Sequence, residues 1–449
     1  MTTPFFSIAI PTKNRPEALR DAIRSVVSQP VVELEVLVSD NSDPHEATHT
    51  EAVVASFDDP RIRYLRTSGD LSMPDNWESA LAAASGEFVG VLTDRSVFRP
   101  GALELVRGEI ERTGARCVSW FSDMYGRNES APSLKRREST FRRYELESPK
   151  LLHYFLNGEA KYATKVIPKL MNAVCSRSIL EEIRRSPVGR ICPRVCPDFT
   201  SGFLILAHAD WVLALDEALY VSCGHGNGSA FRNRGELGDR FRRDLGMTWA
   251  EMVDRMPSDV CFSHALVLND LMRLRDTLPE RFPDVELNRV QYYVGCLNDY
   301  AKTANRGISE RDGDLESLFR ALAQEDPDVR AGVEAAGSYA RVSKLISLTP
   351  EQRNARAARK TARAPEEPRV FASVFEAIDW AEANPREPIE HGLLDLVEEL
   401  ASDEPDVGAA EATTSVAAIP PERPESVTSG ASEPRLRERL RAALGKNPG

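Results

Sequence analysis

Gly86-Glu-Phe-Val-Gly-Val-Leu-Thr-Asp-Arg-Ser-Val-Phe-Arg-Pro-Gly101 is the stretch from which the fold is read. Its apolar run, Phe88 to Leu92, predicts a buried strand. The strand runs into a polar turn, and the Pro100-Gly101 pair then opens the next helix. Open α/β sheets hold their ligands at the carboxyl ends of such strands. Asp94 is the carboxylate at this one, and Arg95 and Ser96 follow it.

Working outward, residues 5–120 alternate strand and helix patterns. Apolar runs predict strands at 5–10, 34–39, 62–65 and 115–121. Between them, helical spacing recurs over 16–29, 44–57, 74–85 and 100–113. Pro16 suits a first helical turn, and Gly86 suits a helix stop. Strands that alternate with helices predict a parallel, doubly wound sheet. The alternation breaks over 122–149, where Lys135 to Arg143 is polar and basic and reads as a loop or mobile excursion. Order resumes over 151–157, 166–174 and 177–184. A helix over 198–209 begins at Asp198, where an N-cap belongs, and a strand follows over 217–222.

From about residue 238 the periodicity is helical: 241–256, 260–277, 287–304, 315–324 and 326–345. The expected organisation is an α/β domain over 1–235, a helical region over 236–348 and a linker with short helices over 349–401. The tail, 402–449, reads as disordered, because its Pro, Ser, Thr, Ala and Glu cannot bury enough surface to offset ordering entropy. A helical pattern resumes at 434–446 with arginines around it. It can dock on a partner or an anionic membrane surface, or stay solvated.

The 449 residues are 42% hydrophobic and 28% charged, an ordinary globular composition. No apolar run approaches the ~18 residues of a membrane span. The first residues read as a strand rather than a signal peptide. Seven scattered cysteines fit a reducing, cytoplasmic setting better than a disulfide framework. The net charge of −12 divides as −6 over 1–120, +5 over 121–245 and −11 over the rest. The positive middle is consistent with an anionic ligand or with plain surface variation. No long basic stripe or stacking-aromatic pattern points to nucleic acid.

Four motifs then agree in order and spacing: Ser7-Ile-Ala-Ile-Pro-Thr-Lys-Asn-Arg-Pro16, Val36-Leu-Val-Ser-Asp-Asn-Ser42, Leu71-Ser-Met-Pro-Asp-Asn-Trp-Glu-Ser-Ala80, and Gly86-Glu-Phe-Val89 with the Asp94 turn. Together they resemble family-2 glycosyltransferases of the GT-A fold over about residues 5–230. The resemblance implies an enzyme that uses a nucleotide-sugar donor, framed by Pro11, Thr12, Asn14 and Arg15, by Asp40 and by Asn76. Turn chemistry and helix capping also explain Asn14 and Asp40 when each is taken alone. The resemblance further implies a divalent cation, Mg²⁺ or Mn²⁺, held by a cluster of acids at Asp94. Here Arg95 stands where a second acid belongs, and a lone carboxylate beside a guanidinium is a poor cation site. Either Arg95 replaces the metal as diphosphate clamp, or the metal and the transfer activity are lost.

The family's catalytic base matches Asp198 in Cys196-Pro-Asp-Phe-Thr-Ser-Gly202. A carboxylate there can take the proton of an attacking hydroxyl; as a bare pattern it is also an N-cap. In Ser222-Cys-Gly-His-Gly-Asn-Gly-Ser229, His225 is a candidate diphosphate contact. Arg232 and Arg234 follow and could neutralise a leaving group, or the segment is a plain surface loop. The Cys192/Cys196 pair lacks further ligands at zinc spacing. The expected reaction is transfer of a sugar to a glycan, lipid-linked or small-molecule acceptor hydroxyl, with the inversion that the resemblance implies. The competing expectation is a non-catalytic module of the same fold that binds a nucleotide sugar or a partner.

Overall fold

The computed structural model describes residues 3–126, 132–157, 166–193, 195–224, 236–284, 286–304, 313–338, 340, 342, 352, 369–395 and 397. The strands among them are β1 (Phe6–Thr12), β2 (Leu34–Asp40), β3 (Ile62–Arg66), β4 (Phe88–Val91), β5 (Ser96–Phe98), β6 (Cys117–Tyr125), β7 (Leu134–Lys135), β8 (Arg143–Glu147), β9 (Ala173–Ser176) and β10 (Trp211–Cys223). They form one sheet in the order β3-β2-β1-β4-β9-β6-β10-β5, with β7 on β6 and β8 on β10. The first four strands are mutually parallel, and β6 and β10 run with them. β9 is inserted antiparallel between β4 and β6. The expected α/β fold with a mostly parallel sheet and a helical C-terminal region is therefore present.

Both faces of the central strands are covered, which is why they read as continuous apolar runs rather than alternating ones. On one face Ile8, Ile10, Val36 and Val38 pack with Leu19, Ile23 and Val26 of α1 (Pro16–Val27) and with Leu103 and Val106 of α4 (Ala102–Thr113). On the other, Ala9, Leu37, Val89 and Val91 pack with Trp77 and Leu81 of α3 (Met73–Ala82). α2 (Pro44–Ala55) follows β2. The second core continues through α5 (Ser148–Leu156), α6 (Arg177–Arg185) and α7 (Pro197–His208) into the helical region. That region comprises α8 (Glu236–Asp244), α9 (Ser263–Thr277), α10 (Arg289–Ala304), α11 (Asp314–Ala323) and α12 (Pro327–Ala335). Tyr292 and Tyr293 of α10 are fully buried, so the helices share one apolar interior with the sheet domain.

Several expectations are revised. The strand expected at 217–222 is the second half of the 13-residue β10, whose first half pairs with β8. The helix expected over 241–256 stops at Asp244 and gives way to turns. The basic run 135–143 is a loop between β7 and β8, but acids hold it in place. Arg137 pairs with Asp216 at 2.7 Å, Arg143 with Glu109 at 2.8 Å and Arg142 with Asp395 at 3.1 Å. Positive charge over 121–245 is in this part internal pairing, not a ligand-facing surface.

Residues 369–395, placed by sequence in a linker with short helices, dock on the sheet domain as a strap. Phe371 and, from α13 (Val374–Ala383), Val374, Ala377 and Ile378 pack on Val97, Tyr125, Val221 and Cys223. The 402–449 tail, and all of 349–368 except residue 352, lie outside the described residues.

Candidate active site

Strand register builds the site. β1 lies between β2 and β4, with Thr12 opposite Asp40 and Ala9 opposite Val91. The carboxyl ends of three parallel strands therefore bring Pro11-Thr12, Asp40 and the Thr93–Ser96 turn to one edge. There the Thr12 hydroxyl donates to Asp94 Oδ2 at 2.9 Å, and Arg15 Nη1 donates to Asp94 Oδ1 at 2.7 Å. Asp94 is buried, while Arg15 stays part-exposed at the mouth. The turn itself closes by Ser96 N–H donating to the Thr93 carbonyl at 2.9 Å, and Arg95 is tied to β10 by Cys223 N–H donating to its carbonyl at 2.8 Å.

The remaining sequence-predicted residues on this edge are also brought together, each with defined partners. Asp40 is fully buried and accepts from Ser42 N–H at 2.9 Å and from the Tyr64 hydroxyl at 2.7 Å. Burial and that hydrogen bond push the Tyr64 phenol well above its usual pKa. Asn76 accepts from the Ser39 hydroxyl at 2.7 Å and reaches the Thr12 carbonyl at 3.4 Å. Asn14 has φ of 56°, a left-handed conformation that asparagine tolerates better than most residues. This turn aims its N–H at the Ser42 hydroxyl, 2.8 Å away, and its side-chain amide exchanges two 2.8 Å hydrogen bonds with Asp43. Asn14, Asp40 and Asn76 thus frame the strand ends, and Arg15 and Arg95 are half-buried cations there beside Lys13, whose ammonium donates to the Gly69 carbonyl at 3.1 Å.

Asp198 stands on the second position of α7, not at its cap: the cap is Cys196, and Pro197 takes the first turn. Its charge is felt by Arg95, across the gap between the helix start and the strand ends. Burial lowers the Arg95 pKa first and the neighbouring Arg15 lowers it further, while Asp94 and Asp198 oppose both. Arg15 is already paired with Asp94, whereas Arg95 adjoins it in the turn and is the guanidinium that burial and a like-charged neighbour leave most in need of an anionic partner.

Lys169 belongs to this neighbourhood and was missed from sequence. It precedes the 3₁₀ turn Leu170–Asn172, and its ammonium lies 3.8 Å from the centre of the Phe199 ring. Burial lowers its pKa, and the charge of Asp198 partly restores it. No local signal marks this lysine; only the tertiary approach of β9's entry turn to α7 does. His225, Arg232 and Arg234 lie outside the described residues.

Among the described residues, the Thr93–Ser96 turn offers a divalent cation a poor donor set. Asp94 is the only acid in the Thr93–Ser96 turn, both its oxygens are engaged, and two guanidiniums adjoin it. Among the described residues, the group whose atoms could share a metal is His45, Glu46 and His49 on the surface of α2.

Over 103 residues the chain is 37% identical to the GalNAc(5)-diNAcBac-PP-undecaprenol beta-1,3-glucosyltransferase of Campylobacter jejuni. That match takes in 22% of this chain and 32% of the relative, so the chain spans about a third of the curated relative's length. Among solved structures, S. aureus TarS 1–349 in complex with UDP-GlcNAc is similar at 13% identity and a TM-score of 0.44, over 80% of this chain and 93% of that one. The same protein in complex with UDP gives 11% identity, a TM-score of 0.41 and the same coverage. Residues 7–184, which hold the four motifs and the whole strand-end cluster, match the profile named glycosyl transferase family 2. Over that segment, about two fifths of its length, the chain is similar to glycosyl transferase family 2.

Proposed function

We propose that the protein transfers a sugar from a nucleotide-sugar donor to an acceptor hydroxyl with inversion, by a single displacement. The observation that supports this reading is the Arg15–Asp94 ion pair at the carboxyl edge of a sheet that matches the family-2 profile, with Arg95 in the same turn and within electrostatic reach of Asp198. Asp198 takes the proton of the acceptor hydroxyl as its oxygen attacks the anomeric carbon. The bond from that carbon to the diphosphate oxygen breaks, and the electron pair leaves with the nucleoside diphosphate. Arg15 and Arg95 meet the negative charge that develops there, the electrostatic work a divalent cation does elsewhere. Asp94 orients Arg15 and, with Thr12, fixes the turn that presents Arg95. His225, Arg232 and Arg234 belong to the same reading as further diphosphate contacts.

The acceptor falls in the glycan, lipid-linked or small-molecule classes. The name of the C. jejuni relative, which carries an undecaprenol-linked glycan, favours the lipid-linked class. Among the described residues no helix is long and apolar enough to cross a membrane.

The test is calorimetry with UDP, GDP and dTDP, followed by a nucleoside-diphosphate release assay on the matching hexose donors. One nucleotide should bind, and Asp198→Asn should lower turnover at least about 100-fold while its affinity stays within about twofold. Absence of binding by every nucleotide would sink the proposal. Binding with no turnover of any donor would leave a nucleotide-sugar-binding module in place of an enzyme.

A further inference from the structure

The segment that delivers Asp198 is buried, and its backbone needs acceptors from elsewhere. Ile191, Cys192 and Val195 have no exposed surface, and α7 begins at Cys196 without a side-chain cap of its own. Buried N–H groups left unpaired cost about 1–3 kcal/mol each. Two carboxylates meet that need, one at either end of the segment. Glu78 Oε2, on α3, accepts from Ile191 N–H at 3.0 Å and Cys192 N–H at 2.9 Å. Asp270 Oδ2, on α9, accepts from Val195 N–H at 3.1 Å and Cys196 N–H at 2.9 Å.

The two clasps have different origins. α3 also carries Asn76, so Glu78 ties the segment to the nucleotide side of the sheet. Asp270 is fully buried and comes from the helical region, well beyond the family-matched residues 7–184. Its two hydrogen bonds end two residues before Asp198. The Thr200 hydroxyl shares its one proton between the Pro193 and Cys196 carbonyls, each 3.0 Å away, which stiffens the same turn.

We infer that Asp270 is a positioning residue for sugar transfer, through which the helical region sets the place of Asp198 against Arg95. The inference rests on the reading of Asp198 as base. A displacement of about 1 Å in a reacting group can cost about 10²-fold in rate, so loosening this clasp should act on turnover rather than on donor binding.

The experiment uses the full chain and the donor selected by calorimetry, with water as acceptor and nucleoside-diphosphate release as readout. Asp270→Ala should lower kcat about 10- to 100-fold with the donor KM within about twofold. Asp270→Asn retains an oxygen able to accept both N–H groups and should recover most of that loss. Leu271→Ala, a core truncation on the same helix, controls for general destabilisation and should leave kcat within about threefold of the parent. A kcat in Asp270→Ala within twofold of the parent, or an equal loss in Leu271→Ala, overturns the inference. Should Asp270→Ala not fold, amide exchange over 195–201 in Asp270→Leu, which fills the space but lacks the acceptor, decides: faster than the parent supports the clasp, unchanged overturns it. Parent-like turnover in Asp198→Asn would instead remove the base reading beneath it.

Discussion

Asp94 commits one carboxylate oxygen to Thr12 and the other to Arg15, so its effect on a ligand passes through those partners. Charge-assisted hydrogen bonds to phosphate are worth about 1.5–3 kcal/mol. Arg95→Ala and Arg15→Ala should therefore each weaken nucleoside-diphosphate binding at least about tenfold, and EDTA should leave the parent's affinity unchanged. Affinity that collapses on chelation and ignores Arg95→Ala would return the site to a metal. Thr12, Arg15 and Asp94 were legible in sequence because they sit within a few residues of strand ends, and parallel register alone brings them together. Lys169 was not, since its neighbours come from distant segments. Its partly buried ammonium also makes a pH prediction. A lysine with a lowered folded pKa binds fewer protons folded than unfolded, so it destabilises the fold at neutral pH. That penalty is relieved as pH rises from the folded value towards the ordinary 10.5. Lys169→Met should flatten the urea midpoint over that interval, and an unchanged slope would show that the burial does not matter.

At the scale of elements, Gly86 is required by contact and not by backbone dihedrals. A Cβ there would lie 2.6 Å from Ser7 N and 2.7 Å from Ser7 Oγ. The space is filled by a buried junction in which Gly86 N–H donates to the Ser7 hydroxyl at 2.7 Å and Ser7 donates to Glu35. Gly86→Ala must push β4's entry away from β1 and should cost about 1–3 kcal/mol by urea denaturation. A midpoint equal to the parent's would mean the junction yields freely. Most elements of residues 5–121 could be read because their strands are rich in apolar residues and each helix opens at or near a proline, but the three-residue β5 was hidden in what reads as a polar turn. β8, β9 and the first half of β10 could not. Their strand character comes from pairing across large sequence separations, as when Cys117 meets Cys175 and Trp211 meets Glu147. The end of α8 at Asp244 was hidden for a related reason, since apolar residues over 247–256 keep helical spacing while folding as turns.

For the whole molecule, the sequence suggested a domain followed by loosely joined pieces, because Pro, Ala, Arg and Glu richness hides a few well-placed apolar residues. Phe371, Val374, Ala377 and Ile378 are among them, and they cover the outer side of β5, directly after the Thr93–Ser96 turn. Polar ties reinforce the seat. The Tyr125 hydroxyl donates to the Phe371 carbonyl at 3.1 Å, Arg99 pairs with Glu382 at 3.0 Å, and Arg136 lies 4.8 Å over the Trp380 ring. Ile378 is 2% exposed, and a carboxylate in its place would be buried without a partner. Ile378→Asp should therefore lift the strap from β5 and β10 and uncover Cys223, which is 4% exposed beneath it. All seven cysteines are buried and none forms a disulfide, so the parent should react slowly with a thiol reagent. In Ile378→Asp one thiol should become fast-reacting, and adding Cys223→Ser should remove it. If no thiol is gained, the strap is held by its polar ties alone and its apolar face contributes little. If one is gained together with weaker nucleotide binding, packing reaches from the strap through β5 to Arg95.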